Sequence, residues 1–177
     1  MLILVIVLVI VAIPLVLASR KPDSFEVKRV ITIAKPRHFV FDYIGLMKNQ
    51  DNFSVWMMLD PAMVKTFTGV DGEIGFESHW VSKNKKVGEG KQRIIAIEKG
   101  KRMDFEIQFI KPWENKANAF MQLEELAANS TRVTWAFTGQ ANFGMKVMHV
   151  FMNMDKMLGK DLERGLSNLK RILENKN

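Results

Sequence analysis

Residues 147–173 read Val147-Met148-His149-Val150-Phe151-Met152-Asn153-Met154-Asp155-Lys156-Met157-Leu158-Gly159-Lys160-Asp161-Leu162-Glu163-Arg164-Gly165-Leu166-Ser167-Asn168-Leu169-Lys170-Arg171-Ile172-Leu173. Val147, Phe151, Met154, Leu158, Leu162, Leu166, Leu169 and Leu173 recur three, four and seven positions apart. That spacing predicts one long amphipathic helix with a continuous apolar stripe. Such a stripe must be buried against something, and the residues before it supply the partner.

Working back towards the amino terminus, the period changes from helical to two. Val133, Trp135 and Phe137 oppose Arg132, Thr134 and Thr138. Ala117, Ala119, Met121 and Leu123 share one face of the preceding strand, although Phe120 breaks its polar side. Met103, Phe105, Ile107 and Phe109 oppose Asp104, Glu106 and Gln108. Val87 to Ile97 reads as a strand whose period blurs over Ile94-Ile95-Ala96-Ile97, and Ile74, Phe76, Ser78 and Trp80 share a face before it. Gly69-Val70-Asp71-Gly72, Ser82 to Lys86, Lys99-Gly100-Lys101 and Asn129-Ser130 punctuate the series as turns. Gly88 and Gly90 leave room inside the sheet or relieve its curvature. Alternation over successive hairpins predicts an antiparallel sheet with one covered face. Phe25 to Ile33 is a further strand, with Arg29 on its apolar side. Lys35-Pro36 opens a short helix, and a second short helix or turn falls around Asn49 to Ser54. Strand, short helices, many strands and a long helix make an α+β domain, a curved sheet wrapped around its last helix.

The leading run, Met1 to Ala18, carries no charged side chain before Arg20 and Lys21 close it. In a helix it would reach roughly 27 Å, near the thickness of a bilayer's hydrocarbon core. Pro14 is tolerable in a membrane helix. A cleaved signal peptide, cut near Leu17-Ala18-Ser19, and a buried core helix are the alternatives. A signal peptide usually starts with positive charge and has a shorter apolar stretch. A core helix usually shows a polar face. The preferred reading is one transmembrane anchor over 1–19, a linker over 20–24 and a domain over 25–177. Arg20, Lys21, Lys28, Arg29, Lys35 and Arg37 all follow the run, so the positive-inside rule puts that domain in the cytoplasm. Cleavage would put it on the other side.

The chain of 177 residues has no cysteine and a formal charge of +7. The first fact excludes disulfides and thiolate chemistry. The second suits an anionic lipid surface as well as plain solubility. The basic residues are scattered, with Lys83, Lys85 and Lys86 the only tight group, and no nucleic-acid partner is expected. His38, His79 and His149 lie at no metal spacing, and no nucleophile elbow or phosphate loop is present. No catalytic residue, metal or cofactor is assigned.

The 12 methionines and four tryptophans say more. Met adapts to irregular gaps, so Met145, Met148, Met152, Met154 and Met157 either fill a core or line a pliable pocket. With Trp56, Trp80, Trp113 and Trp135 as walls, a pocket between helix and sheet is the sharper reading. Its expected lining is Trp56, then Phe76 and Trp80, then Phe105, Ile107 and Phe109 from the sheet. Met121, Trp135 and Phe137 continue that sheet face, and Met148, Phe151 and Met152 come from the helix. The expected partner is a hydrophobic small molecule or lipid, at a membrane. Protein partners are not specified.

Several short stretches carry a resemblance: Asp60-Pro61-Ala62-Met63-Val64, Lys86-Val87-Gly88-Glu89-Gly90, Phe109-Ile110-Lys111-Pro112-Trp113, Thr131-Arg132-Val133-Thr134-Trp135 and, most specifically, Phe151 to Leu166. On these, Phe25 to Glu174 resembles the SRPBCC superfamily of START and Bet v 1-like proteins, in its bacterial polyketide cyclase/dehydrase and lipid-transport branch. The resemblance implies a helix-grip fold with a seven-stranded antiparallel sheet, two short helices at one end and a hydrophobic cavity. It implies no single activity, because the fold hosts transporters, cyclases and receptors. Three functions are therefore open. The first is membrane-anchored binding of an apolar or amphipathic molecule. The second is a cyclase- or dehydratase-like enzyme, for which His79, Asp104 and Glu106 are conceivable but sit on outer strand faces. The third is a stress or signalling module whose interior is merely core.

Overall fold

In the computed structural model, residues 12–176 are described. Residues 12–19 are helical (α1). Among the described residues no helix is long and apolar enough to cross a membrane. The transmembrane anchor assigned to 1–19 falls mostly on 1–11, outside the described residues.

Then follow β1 (Ser24–Ile33), α2 (Arg37–Ile44), a 3-10 turn (Met47–Asn52), α3 (Val55–Met58), β2 (Val64–Thr68), β3 (Glu77–Val81), β4 (Glu89–Glu98), β5 (Arg102–Lys111), β6 (Asn115–Ala127), β7 (Ser130–Gln140), α4 (Phe143–Phe151) and α5 (Met154–Glu174). The strands form one seven-stranded sheet in the order β1-β7-β6-β5-β4-β3-β2, with every neighbouring pair antiparallel. Successive hairpins build β2 to β7, and β1 closes the far edge against β7. This is the α+β architecture that the alternation predicts.

Two expected strands differ in detail. Ile74 stands outside β3, 65% exposed, because Gly75 turns the chain at φ 95° before Phe76 enters the core. The blurred period at Ile94-Ile95-Ala96-Ile97 is a register shift: Ile94 pairs with Phe105 and Ala96 with Asp104, leaving Ile95 unpaired as a bulge. Phe120, the apolar residue on the polar face of β6, is covered by the Arg102 guanidinium 3.8 Å from its ring centre.

The single long helix expected over 147–173 is two helices. Met152 is extended (φ −116°, ψ 125°), and the Asn153 side chain accepts the Lys156 N–H at 2.9 Å, starting a new helix. An earlier cap, Asn142 on the Met145 N–H, starts α4. The apolar period crosses this break, so periodicity alone does not reveal it.

Only α5 lies in the grip. Leu162, Leu166, Leu169 and Leu173 are buried, each worth about 1.5–3 kcal/mol of transfer free energy. Glycines let the helix sit close. A Cβ at Gly165 would stand 2.6 Å from the Trp135 ring, and one at Gly159 would meet the Arg29 guanidinium. Arg29, on the inner side of β1, holds Asp155 through two bonds of 2.8 and 3.0 Å. At the other end Lys170 Nζ donates to the Thr32 carbonyl at 2.9 Å, and Glu174 accepts the Ala34 N–H at 2.7 Å. Polar ties at both ends thus align α5 along β1, and leucines seal it between them.

Candidate functional site

The first turns of α5 are tied to β1 through Arg29 and Asp155 but stand off from the middle strands of the sheet. A hollow of about 540 Å³ remains there. Its floor is the inner sheet face: Trp80, Ile107 and Phe109, then Trp135 and Phe137 on β7. Ala119 sits among them and leaves space by its small size. Met157, Leu158 and Asp161 of α5 form the roof, and Trp56, Met57 and Leu59 close one end. Lys86 and Val87 enter from the β3–β4 connection.

The walls are held by edge-to-face aromatic contacts. Trp135 meets Trp56 at 6.0 Å and 86°, and Phe53 at 5.5 Å and 71°. Trp80 meets Phe109 at 6.4 Å and 79°. Edge-to-face pairs of this kind add about 0.5–1.5 kcal/mol each beyond the area they bury, which favours this arrangement of the walls. Trp80 is seated by Gly90, where a Cβ would fall 2.5 Å from its ring. Its indole N–H donates to the Val87 carbonyl at 3.4 Å, so that donor is turned into the protein.

Of the residues expected to line a cavity, Trp56, Trp80, Ile107, Phe109, Trp135 and Phe137 are brought together around this hollow. Phe76, Phe105 and Met121 are fully buried core, away from its surface. Met148, Phe151 and Met152 lie on or just after α4, which has no buried residue, and Phe151 is 72% exposed. The helix break removes them from the grip. Trp113, expected as a wall, projects from the β5–β6 hairpin and is 81% exposed.

Three lining residues, Gln50, Ser54 and Gln92, are polar and went unassigned in the sequence. Each is more than nine-tenths buried and borders the hollow. A signal existed for Gln92, which shares the inner face of its strand with Gly90 and Ile94. Gln50 and Ser54 sit in the 3-10 turn and the α3 cap, where no period operates.

The acid–base candidates face elsewhere. His79 is within 3.3 Å of Glu89 on the outer sheet face, and Lys111 beside Glu89 holds that carboxyl below its usual range. Asp104 is bound by Arg102 at 2.6 Å, also outside. Glu106 borders a different hollow of about 580 Å³, where Glu26 and Lys116 are exposed to solvent. Among the described residues, no cluster of His, Asp or Glu has metal-binding geometry.

This architecture has solved counterparts. A protein from Thermobifida fusca superposes with a TM-score of 0.59 at 14% identity, over 84% of this chain and 92% of that one. One from Chromobacterium violaceum gives 0.57 at 11%, over 86% and 99%. The crystal structure of Ara h 8.0201 gives 0.54 at 13%, over 85% and 95%. The fold is the Bet v 1-like helix-grip. At these identities the likeness extends to the fold alone. No protein-family model matches the sequence, and no curated protein matches it either.

Proposed function

We propose that this chain binds an apolar or amphipathic small molecule between the sheet and the start of α5, at a membrane to which its leading segment tethers it. One observation carries the reading: an apolar hollow of about 540 Å³ that the packing leaves open. Ligand pockets begin at roughly 300 Å³, whereas a purely structural interior would be filled. The helix-grip neighbours support ligand binding as a general use of the fold. The uncharged run from Met1 to Ala18 supports the tether, and the following Lys and Arg support a cytoplasmic domain.

A lipid is the ligand class that fits both features. The cyclase-like alternative has no observation of its own in the hollow, since His79, Asp104 and Glu106 stand outside it. The test is mass spectrometry of small molecules released from the intact, membrane-extracted protein. A near-stoichiometric apolar species is expected. Protein that carries none and takes up none from added lipid would contradict the reading. For the tether, the full-length chain should stay with carbonate-washed membranes, and a chain lacking 1–19 should leave them. Full-length protein in the aqueous fraction would overturn it.

A further inference from the structure

The hollow is mostly apolar but not throughout. Gln50 and Ser54 belong to the helical cover, and Gln92 to the sheet. All three line the same space, so their side-chain amides and hydroxyl are placed within reach of whatever occupies it. A polar group that borders a ligand's space favours a ligand able to hydrogen-bond to it, because an occupant that displaces water without replacing its hydrogen bonds leaves the group unmet. An empty apolar pocket would be better built with Leu or Val at these places. The set is also chemically specific. Two amides and one hydroxyl both donate and accept, and none is charged. The charged residues of the lining, Lys86 and Asp161, are of opposite sign, and Lys86 is exposed.

We propose that the cavity selects an uncharged amphipath, whose neutral hydroxyl, ester or amide pairs with Gln50, Ser54 and Gln92 while its chain or ring system lies against Trp80, Phe109 and Trp135. This rests on the ligand-binding reading above and narrows it. An ionised carboxylate seated at the same place would lose its hydration with no buried cation to balance it, and desolvating an unpaired charge is severely unfavourable. A wholly apolar molecule would leave three polar side chains unmet. Neutral glycerides, sterol-like alcohols and fatty amides satisfy both demands, and ionised fatty acids do not.

Photolabelling tests this with the full-length chain in phosphatidylcholine nanodiscs at pH 8. Diazirine derivatives of 1-decanol and of decanoic acid are irradiated separately, and labelled peptides around Trp56 and Trp135 are quantified. The alcohol should label these peptides about tenfold more than the acid, the ratio that a single satisfied polar contact provides. Gln92→Leu, close in size, should erase most of that preference while leaving labelling by a diazirine alkane intact or stronger. Ser54→Ala is the second variant, expected to act in the same direction. Equal labelling by alcohol and acid, or a preference untouched by both variants, would overturn the selection of neutral head groups and leave the cavity reading standing. Failure of every probe to label these peptides would overturn both.

Discussion

Gly165 is where a single hydrogen atom governs the grip. Alanine there gains about 1 kcal/mol of helix propensity over glycine. Its Cβ would nevertheless fall 2.6 Å from Trp135, a ring already fixed against Phe53 and Trp56. Overpacking of that kind costs about 1–3 kcal/mol, so Gly165→Ala should lower the urea midpoint of unfolding. An unchanged or raised midpoint would mean that the ring can yield. A second residue-scale device is His149, set edge-on to Phe25 with its buried Nε2 unpaired among the described residues. Burial, and then the charge of Lys21, push its pKa below 6.5. The fold therefore binds fewer protons at this site than the unfolded chain does. The stability it contributes is present above pH 6.5 and drains away as pH falls through that value towards the lower folded pKa. His149→Phe should flatten the melting temperature between pH 7.5 and pH 5.5, whereas wild type declines; equal slopes would exclude His149 as the cause.

At the scale of elements, α5 is the part whose removal undoes the rest. Leu166, 1% exposed at the centre of the stripe, cannot accept a charge, so Leu166→Asp should abolish the cooperative melt. A native transition in that variant would show the helix face to be misassigned. The start of α5 depends on Asn153, and Asn153→Ala should cost about 1 kcal/mol by loss of the cap. These two positions also show what the sequence can and cannot disclose. Leu162 to Leu173 and the alternation in β5 to β7 are set by burial of one face, and burial writes its period into the chain. The break at Met152–Asn153 is set by one side-chain hydrogen bond, which leaves no period. Phe151 therefore reads as core and stands in solvent. The same distinction divides the site. Trp80, Phe109, Trp135 and Phe137 were legible as inner-face strand residues. Gln50 and Ser54 were not, because a 3-10 turn and a cap carry no apolar rhythm. Bulk aromaticity misplaced Trp113, since a hairpin tip obeys neither period.

For the whole molecule, the decisive relation is between a roof and a floor that meet along one edge only. Leucines and polar ties seal α5 to β1, while Met157 and Leu158 stand off from Trp80, Ile107 and Trp135 and leave the hollow between them. The account holds that this space is a binding site. Three of the four tryptophans border it, and Trp113 lies far out in solvent. The direct measurement is quenching of tryptophan emission by a brominated 1-decanol added to the full-length protein in nanodiscs. The account predicts saturable quenching of the buried, blue-shifted emission at about one molecule per chain, with the solvent-exposed red component spared. Quenching that only rises linearly with added alcohol, and strikes the exposed component equally, would contradict it.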